Sequence, residues 1–219
     1  DYTLFTFNQP ILKEVDKVFQ FLEASYRINK YKHLVVSPHS TSSFFTSLIE
    51  QEIDHVKNGK KGLIKLKMNS LTNYNIIETL YDASRAGVHI QLIVRGVCCL
   101  IPGIKGMSEN IEVISVVDKF LEHTRMMIFE NDGDPLVYIS SADWMTRNLD
   151  NRVEVSCPIY DLDIKKDLLD TFAITWADSV KSRLLNGKEP NIYKKSCSQQ
   201  RRTQIDLYNH YKKKLTLEG

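Results

Sequence analysis

The sequence predicts an α/β protein with a mixed β-sheet flanked by helices. Between residues 33 and 95, short apolar runs alternate with segments of helical apolar spacing in the order strand, helix, strand, helix, strand, the pattern of right-handed crossovers on a sheet covered by helices. Two further β-like runs around 125–129 and 137–140 are joined by Glu-Asn-Asp-Gly-Asp-Pro, a strong hairpin turn signal.

Taken in order, residues 2–7 (YTLFTF) are aromatic and β-branched and predict a strand separated from its neighbours. Pro10 suits a first helical turn, and Ile11, Val15, Val18, Phe19 and Leu22 follow at helical spacing. A basic link, 27–32, leads into strand 33–37 and marks the predicted boundary between a unit ending near 33 and another spanning 34–219. Residues 37–42 offer several N-cap side chains to a helix bearing Phe45, Leu48, Ile49, Ile53 and Val56, which stops at Asn58-Gly59. Strand 63–69 places Ile64, Leu66 and Met68 on one face and Lys65, Lys67 and Asn69 on the other, which is expected to be solvated.

A helix from about Asn73 buries Ile76, Ile77, Leu80, Tyr81 and Ser84 and closes at Gly87, a good residue to follow a helix end. Strand 88–94 then delivers Arg95 at its carboxyl end, where ligands of such sheets gather. Residues 97–110, with Pro102, Gly103 and Gly106, predict a loop. Strands follow at 111–116, 125–129, 137–140 and 153–157. Asp163 is expected to cap a helix reaching about residue 184, with Ile164, Leu168, Leu169, Phe172, Ile174, Trp176 and Val180 along it. A polar stretch, 186–200, precedes a basic final helix, 201–214.

With 219 residues and 42% hydrophobic content the chain can build a core as one large or two small domains. Its net charge of +2 argues against a nucleic-acid binder, so any anion-binding surface must be local. Cys98, Cys99, Cys157 and Cys197 fit neither a disulfide framework nor paired metal-ligand spacing, and a reduced, cytoplasmic setting is expected. The first residues do not resemble a signal peptide, and no apolar run is long enough to span a bilayer. The start without methionine suggests a fragment of something longer. His33, His39, His55, His89 and His210 lack metal-ligand spacing and are expected to be structural or at the surface, as is the basic run Lys212-Lys213-Lys214.

The chemistry concentrates in residues 120–154. His123 and Arg125, two apart, would share a strand face, and such a pair suits phosphate: arginine binds phosphoryl oxygens bidentately, and an imidazole near neutrality exchanges protons or accepts a phosphoryl group. The hairpin would bring Ser140, Ser141 and Asp143 beside them, with small residues that let hydroxyls and backbone N–H groups approach an anion. Arg95 and Arg152 could complete a positive cleft. The competing readings are surface pairing of Arg125 and Arg152 with Glu130 or Glu154, turn capping by Ser140, Ser141 and Asp143, and a purely structural His123.

The run from Ser115 to Arg125 (SVVDKFLEHTR), the segment Ile128 to Asp134, and Val137 to Asp150 (VYISSADWMTRNLD) resemble the C-terminal part of the bacterial polyphosphate kinases that build long polyphosphate chains from ATP. Leu34-Val35-Val36-Ser37-Pro38, Leu66-Lys67-Met68-Asn69-Ser70-Leu71 and the stretch from Leu92 to Pro102 match in the same order. The resemblance implies a phospholipase-D-like lobe, in which HxK is followed by GSxN. Here His123-Thr124-Arg125 and Ser140-Ser141-Ala142-Asp143 stand in those places, with Arg for Lys and Asp for Asn.

It further implies reversible transfer of the terminal phosphoryl group of ATP to polyphosphate through a phosphohistidine in the preceding lobe, whose Lys-Ile-His-Ala-Lys type of run this sequence lacks. Residues 1–33 would then end that lobe. His123 would contact nucleotide phosphates and act as general acid toward leaving ADP, Arg95 would bind ATP, and Arg152 would add a phosphate contact. The implied Mg²⁺ would be held by upstream residues, so no metal ligand is expected here. The implied partners are ATP or ADP, polyphosphate, the upstream domains and, at full length, further copies of the protein, in the cytoplasm and at most peripheral to the inner membrane. The fragment alone is expected to be inactive. The alternatives are a phospholipase-D-like phosphodiesterase working as a dimer through His123 of two chains, and a non-enzymatic polyanion-binding module.

Overall fold

A computed structural model describes residues 1–26, 28–186, 192–195 and 199–217, which leaves Cys197 and much of the predicted polar stretch outside. The described strands are β1 (Val35–Val36), β2 (Leu63–Met68), β3 (His89–Val94), β4 (Ile111–Val116), β5 (Arg125–Phe129), β6 (Leu136–Ser140), β7 (Val155–Pro158) and β8 (Ser182–Leu184). They form a single sheet in the order β1-β7-β6-β5-β2-β3-β4-β8. The pairs β2–β3 and β3–β4 are parallel, and every other pair is antiparallel. The mixed sheet flanked by helices is therefore present, and pairing switches between parallel and antiparallel at β2, on the side of the hairpin strands, and at β4, beside the edge strand β8.

Helices α2 (Thr41–Lys57) and α3 (Tyr74–Ala86) cover one face of the sheet. Their apolar stripes, including Phe45, Ile49, Ile76 and Leu80, meet Ile64, Leu66, Leu92, Met127 and Phe129. Phe45 is wrapped by Phe129, Tyr138 and Trp144, and burying each such ring stabilises the fold by roughly 1.5–3 kcal/mol. Asn73 caps α3 by accepting from Ile76 N–H at 3.1 Å, and Gly87 ends it with φ 99°. The other face packs on α4 (Leu162–Trp176), where Leu168 and Phe172 meet Ile93, Ile114, Met126 and Ile128. Helix α5 (Thr203–Leu217) lies beside α4, and α1 (Gln9–Glu23) packs near the β1 edge against Leu34 and Val36.

Several sequence expectations need correction. Residues 2–7 alternate between partly buried and exposed positions but pair with none of the described strands, and Phe5 and Phe7 are 90% and 92% exposed. On α1, Phe19 and Leu22 face outward, and Glu14 is buried instead. Its carboxylate accepts from the N–H groups of Lys32 (2.6 Å), His33 (2.9 Å) and Leu34 (2.8 Å), fixing the entry to β1, which is shorter than predicted. Burial alone would raise the Glu14 pKa, but these three donors outweigh it and hold the carboxyl below its usual value. Helix α2 has no side-chain cap, because the Ser40 hydroxyl turns back to Val36.

The second face of β2 is not solvated either. Lys67 is 6% exposed beneath the α4 side and pairs with Glu122 at 2.5 Å, and Asn69 is also buried. Asp161, not Asp163, caps α4, and that helix ends at Trp176. The reason is Asp178, fully buried, whose carboxylate gathers the N–H groups of Val180, Lys181, Ser182 and Thr203. One side chain thus ends the helix, opens the unpredicted edge strand β8 and starts α5.

Candidate phosphate cleft

The carboxyl ends of β2, β3 and β6 and the amino ends of β5 and β7 lie at the same edge of the sheet. Residues at that edge build the site. Arg125 opens β5, and His123 stands two residues before it, in a loop and not in the strand the sequence suggested. The pair still meets. Arg125 Nη1 and Nη2 lie 3.0 Å from His123 Nδ1 and Nε2 respectively, and Nη1 also donates to the His123 carbonyl at 2.9 Å. In the neutral ring one nitrogen carries the N–H and the other the lone pair, and the two point apart in the imidazole plane, so simultaneous approach to both nitrogens sets the guanidinium across the ring and only one of the two contacts is a hydrogen bond to nitrogen.

Asp143 holds the other side of Arg125. Its carboxylate takes Nη2 at 2.8 Å and Nε at 3.3 Å, and Oδ1 also accepts from the N–H groups of Asn69 (2.7 Å) and Ser70 (3.1 Å). Both side chains are enclosed, at 9% and 10% exposure. Burial would raise the Asp143 pKa, but Arg125 and the two amides pull it below the ordinary carboxylate value. Asn69 then passes order to β3, because its Oδ1 accepts from Arg95 Nε at 2.8 Å. Gly96 permits this closeness: a Cβ there would stand 2.9 Å from the Asn69 carbonyl.

The cleft beside this framework is about 410 Å³ and is lined by His123, Arg125, Ser141, Asp143, Arg147, Asn148, Arg152 and Glu154. A second hollow of about 380 Å³ reaches His123 from the side of Ser140, Ile139 and Cys157. The one carboxylate free of an ion pair in the cleft, Glu154, is occupied by the Ser141 hydroxyl and by Asn148 Nδ2. Arg147 and Arg152 therefore keep their charge without a hydrogen bond or ion pair among the described residues, as do the terminal nitrogens of Arg95. The surface pairing of Arg125 or Arg152 with Glu130 or Glu154 does not occur; Glu130 pairs with Lys61. Ser140 does serve its own turn, accepting from Ala142 N–H and from the Ser156 hydroxyl.

Electrostatics sets the protonation of His123. Burial, Arg125 and Arg95 all disfavour the imidazolium and outweigh the attraction of Asp143, so the pKa lies below its ordinary value. That balance favours the neutral ring over the imidazolium. The arrangement can bind an anion through guanidinium groups and exchange a proton with it through the imidazole.

Among the described residues no three His, Cys, Asp or Glu side chains gather as ligands, and the cleft's two carboxylates are already engaged.

Sequence reasoning assigned no site role to Arg147 or Asn148, gave Glu154 only as a surface partner for arginine and took Asn69 as solvated. Asn69 was findable, since it ends a parallel strand at the sheet edge where ligands collect. Arg147 sits on a π-helical turn, Arg147–Asn151, and π-turns accompany functional sites but leave no clear trace in sequence.

The fold and the sequence have known relatives. The structure superposes on the crystal structure of polyphosphate kinase from Porphyromonas gingivalis with a TM-score of 0.92 and 41% identity, covering 95% of this chain and 32% of that one. A phospholipase D family member, Nuc from Salmonella typhimurium, shares the fold with a TM-score of 0.50 at 16% identity, over 69% of this chain and 95% of that one. The polyphosphate kinase of Vibrio parahaemolyticus is 46% identical over 213 residues, 97% of this chain. The chain spans about 31% of the length of that relative. Residues 34–205 match the family profile described as polyphosphate kinase C-terminal domain 2, and the chain belongs to that family.

Proposed function

We propose that this chain supplies the ATP-side wall of a polyphosphate kinase active site, where the terminal phosphoryl group of ATP passes reversibly to polyphosphate. The observation that carries the reading is the cluster of guanidinium groups without carboxylate partners, on Arg95, Arg147 and Arg152, around the neutral imidazole of His123. Phosphoryl transfer asks mostly for positioning and charge stabilisation, and this wall provides both.

In this reading Arg95 and Arg152 take non-bridging phosphate oxygens, Ser141 offers a hydroxyl, and Arg125, locked by Asp143, holds the His123 ring. Arriving phosphates place negative charge beside the ring, offset Arg125 and Arg95, and favour the imidazolium. His123 then protonates the oxygen of leaving ADP, a role worth about 10²–10⁴-fold in rate. The phosphohistidine belongs to a preceding lobe that residues 1–33 would complete. A divalent cation with the nucleotide would be held outside this chain.

The test measures binding of ATP and tripolyphosphate to the 219-residue chain by calorimetry, alongside ATP-dependent polyphosphate synthesis and cleavage of a chromogenic phosphodiester. Binding that weakens on Arg95→Ala or Arg152→Ala, with neither turnover, supports the reading. Absence of binding would sink it. Phosphodiester turnover lost on His123→Ala would establish the hydrolase suggested by the phospholipase-D-like fold, and binding indifferent to all three substitutions would leave a bare polyanion module.

A further inference from the structure

The loop that carries His123, between β4 and β5, has no secondary structure of its own, yet it is held along its length, and the His123 N–H itself donates to Asp1 Oδ1 at 3.1 Å. Arg202 clasps Asp118 through Nε (2.8 Å) and Nη2 (2.7 Å), with the side chain of Asp118 2% exposed. Gln204 brackets the peptide unit of Phe120: its Oε1 accepts from Phe120 N–H at 2.9 Å and its Nε2 donates to the Phe120 carbonyl at 2.8 Å. The same Nε2 reaches Glu122 Oε1 at 3.1 Å, and the other oxygen of Glu122 meets Lys67. His123 follows immediately. Both anchors come from the beginning of α5, itself set by Asp178 through the N–H of Thr203 at 2.7 Å.

We propose that Arg202 and Gln204 are positioning residues for His123, with the start of α5 fixing the register of the 118–123 loop so that the imidazole lies against Arg125. A side-chain amide that satisfies both the N–H and the C=O of one residue replaces the strand partner the loop lacks, and it fixes the direction of the chain three residues before the ring. Phe120 and Leu121 are exposed and make no core contact that could do this. The start of α5 is 80 residues further along the chain, so the link between helix and site is tertiary. The functional consequence rests on the phosphate-cleft reading, whereas the geometric claim does not.

The experiment follows the imidazole of His123 by NMR titration in the 219-residue chain, its signal identified by loss in His123→Ala. The charged groups facing the ring are Arg125 from β5, Asp143 beyond β6, Arg95 beyond β3 and the amino group of Asp1. Gln204→Ala removes a neutral side chain and is expected to release the ring from Arg125, so that its titration moves up toward the ordinary histidine value. Tripolyphosphate affinity is expected to fall about 3- to 10-fold, the loss of one or two hydrogen bonds. Arg202→Ala gives the same direction, Arg202→Lys restores part of it, and Lys212→Ala on the same helix changes neither.

A folded Gln204→Ala chain whose His123 titrates as in the parent overturns the proposal, even if Arg202→Ala fails to fold. A shifted titration in a chain that binds no tripolyphosphate supports the positioning role and overturns the cleft reading instead.

Discussion

Replacing Asp143 by alanine tests the framework of the site most directly. The carboxylate is the sole ion-pair partner of the Arg125 guanidinium among the described residues and the acceptor for two backbone N–H groups. Its removal strands a charge that is 9% exposed, and breaking a buried pair from one side costs about 3–5 kcal/mol. Asp143→Asn keeps an oxygen for the amides of Asn69 and Ser70 but loses the charge and turns an NH2 group toward Arg125 Nη2, so its expected cost is smaller than that of alanine, about 1.5–3 kcal/mol. Urea unfolding followed by tryptophan fluorescence reports the change, with Trp144 fully buried beside the mutated residue. The double variant Arg125→Met/Asp143→Leu should recover about 2 kcal/mol relative to the sum of its single changes. A loss below about 1 kcal/mol for Asp143→Ala would mean that the guanidinium is solvated and that the framework described above is wrong. Because the folded Asp143 pKa is depressed, this stabilisation is present above the unfolded value of about 3.9 and disappears as pH falls through the folded one.

Glu14→Ala removes the acceptor of three amides and is expected to cost about 2–4 kcal/mol; hydrogen exchange should quicken first at Lys32, His33 and Leu34, and protection unchanged there would refute the role. Tripolyphosphate binding should draw a proton onto His123, whose free pKa lies below about 6.5. Affinity therefore rises as pH falls through the higher bound-state value and levels off below the free one. Calorimetry across that range, compared with His123→Ala to subtract the ligand's own titration, checks the sign, and identical slopes for the two chains would count against it.

The central sheet and its first two covering helices were legible because each residue there obeys one period. Ile64, Leu66 and Met68 alternate, Ile76, Ile77 and Leu80 recur at helical spacing, and Asn73 and Gly87 mark the ends of α3 as their backbone chemistry requires. What failed depended on partners remote in sequence. Nothing within β2 tells that Glu122 will neutralise Lys67, and nothing in α1 tells that Glu14 will meet amides 18 to 20 residues on. The apolar run through Val180 reads as helix until Asp178 is seen to be buried. The site divides in the same way. His123, Arg125 and Asp143 stood out as residue types in a dense stretch, whereas the lining by Arg147 and the grip of Gln204 appear only once the chain is folded.

The switch in strand direction at β2 has a geometric outcome for whatever lies along the sheet edge. Because β5 runs against β2 and β3, and β6 and β7 continue the antiparallel alternation, alternate amino and carboxyl strand ends line up on one side. Arg95, Asn69, Arg125, Ser140 and the Arg152 approach to β7 thus follow one another in neighbouring strands. Adjacent strands are about 4.8 Å apart, so the row from β3 to β7 extends about 19 Å. The side chains of that edge are thus set at the sheet's own repeat and not gathered at one fixed point, with Arg95 and Arg152 at the two ends and the enclosed Asn69 and Arg125 between them.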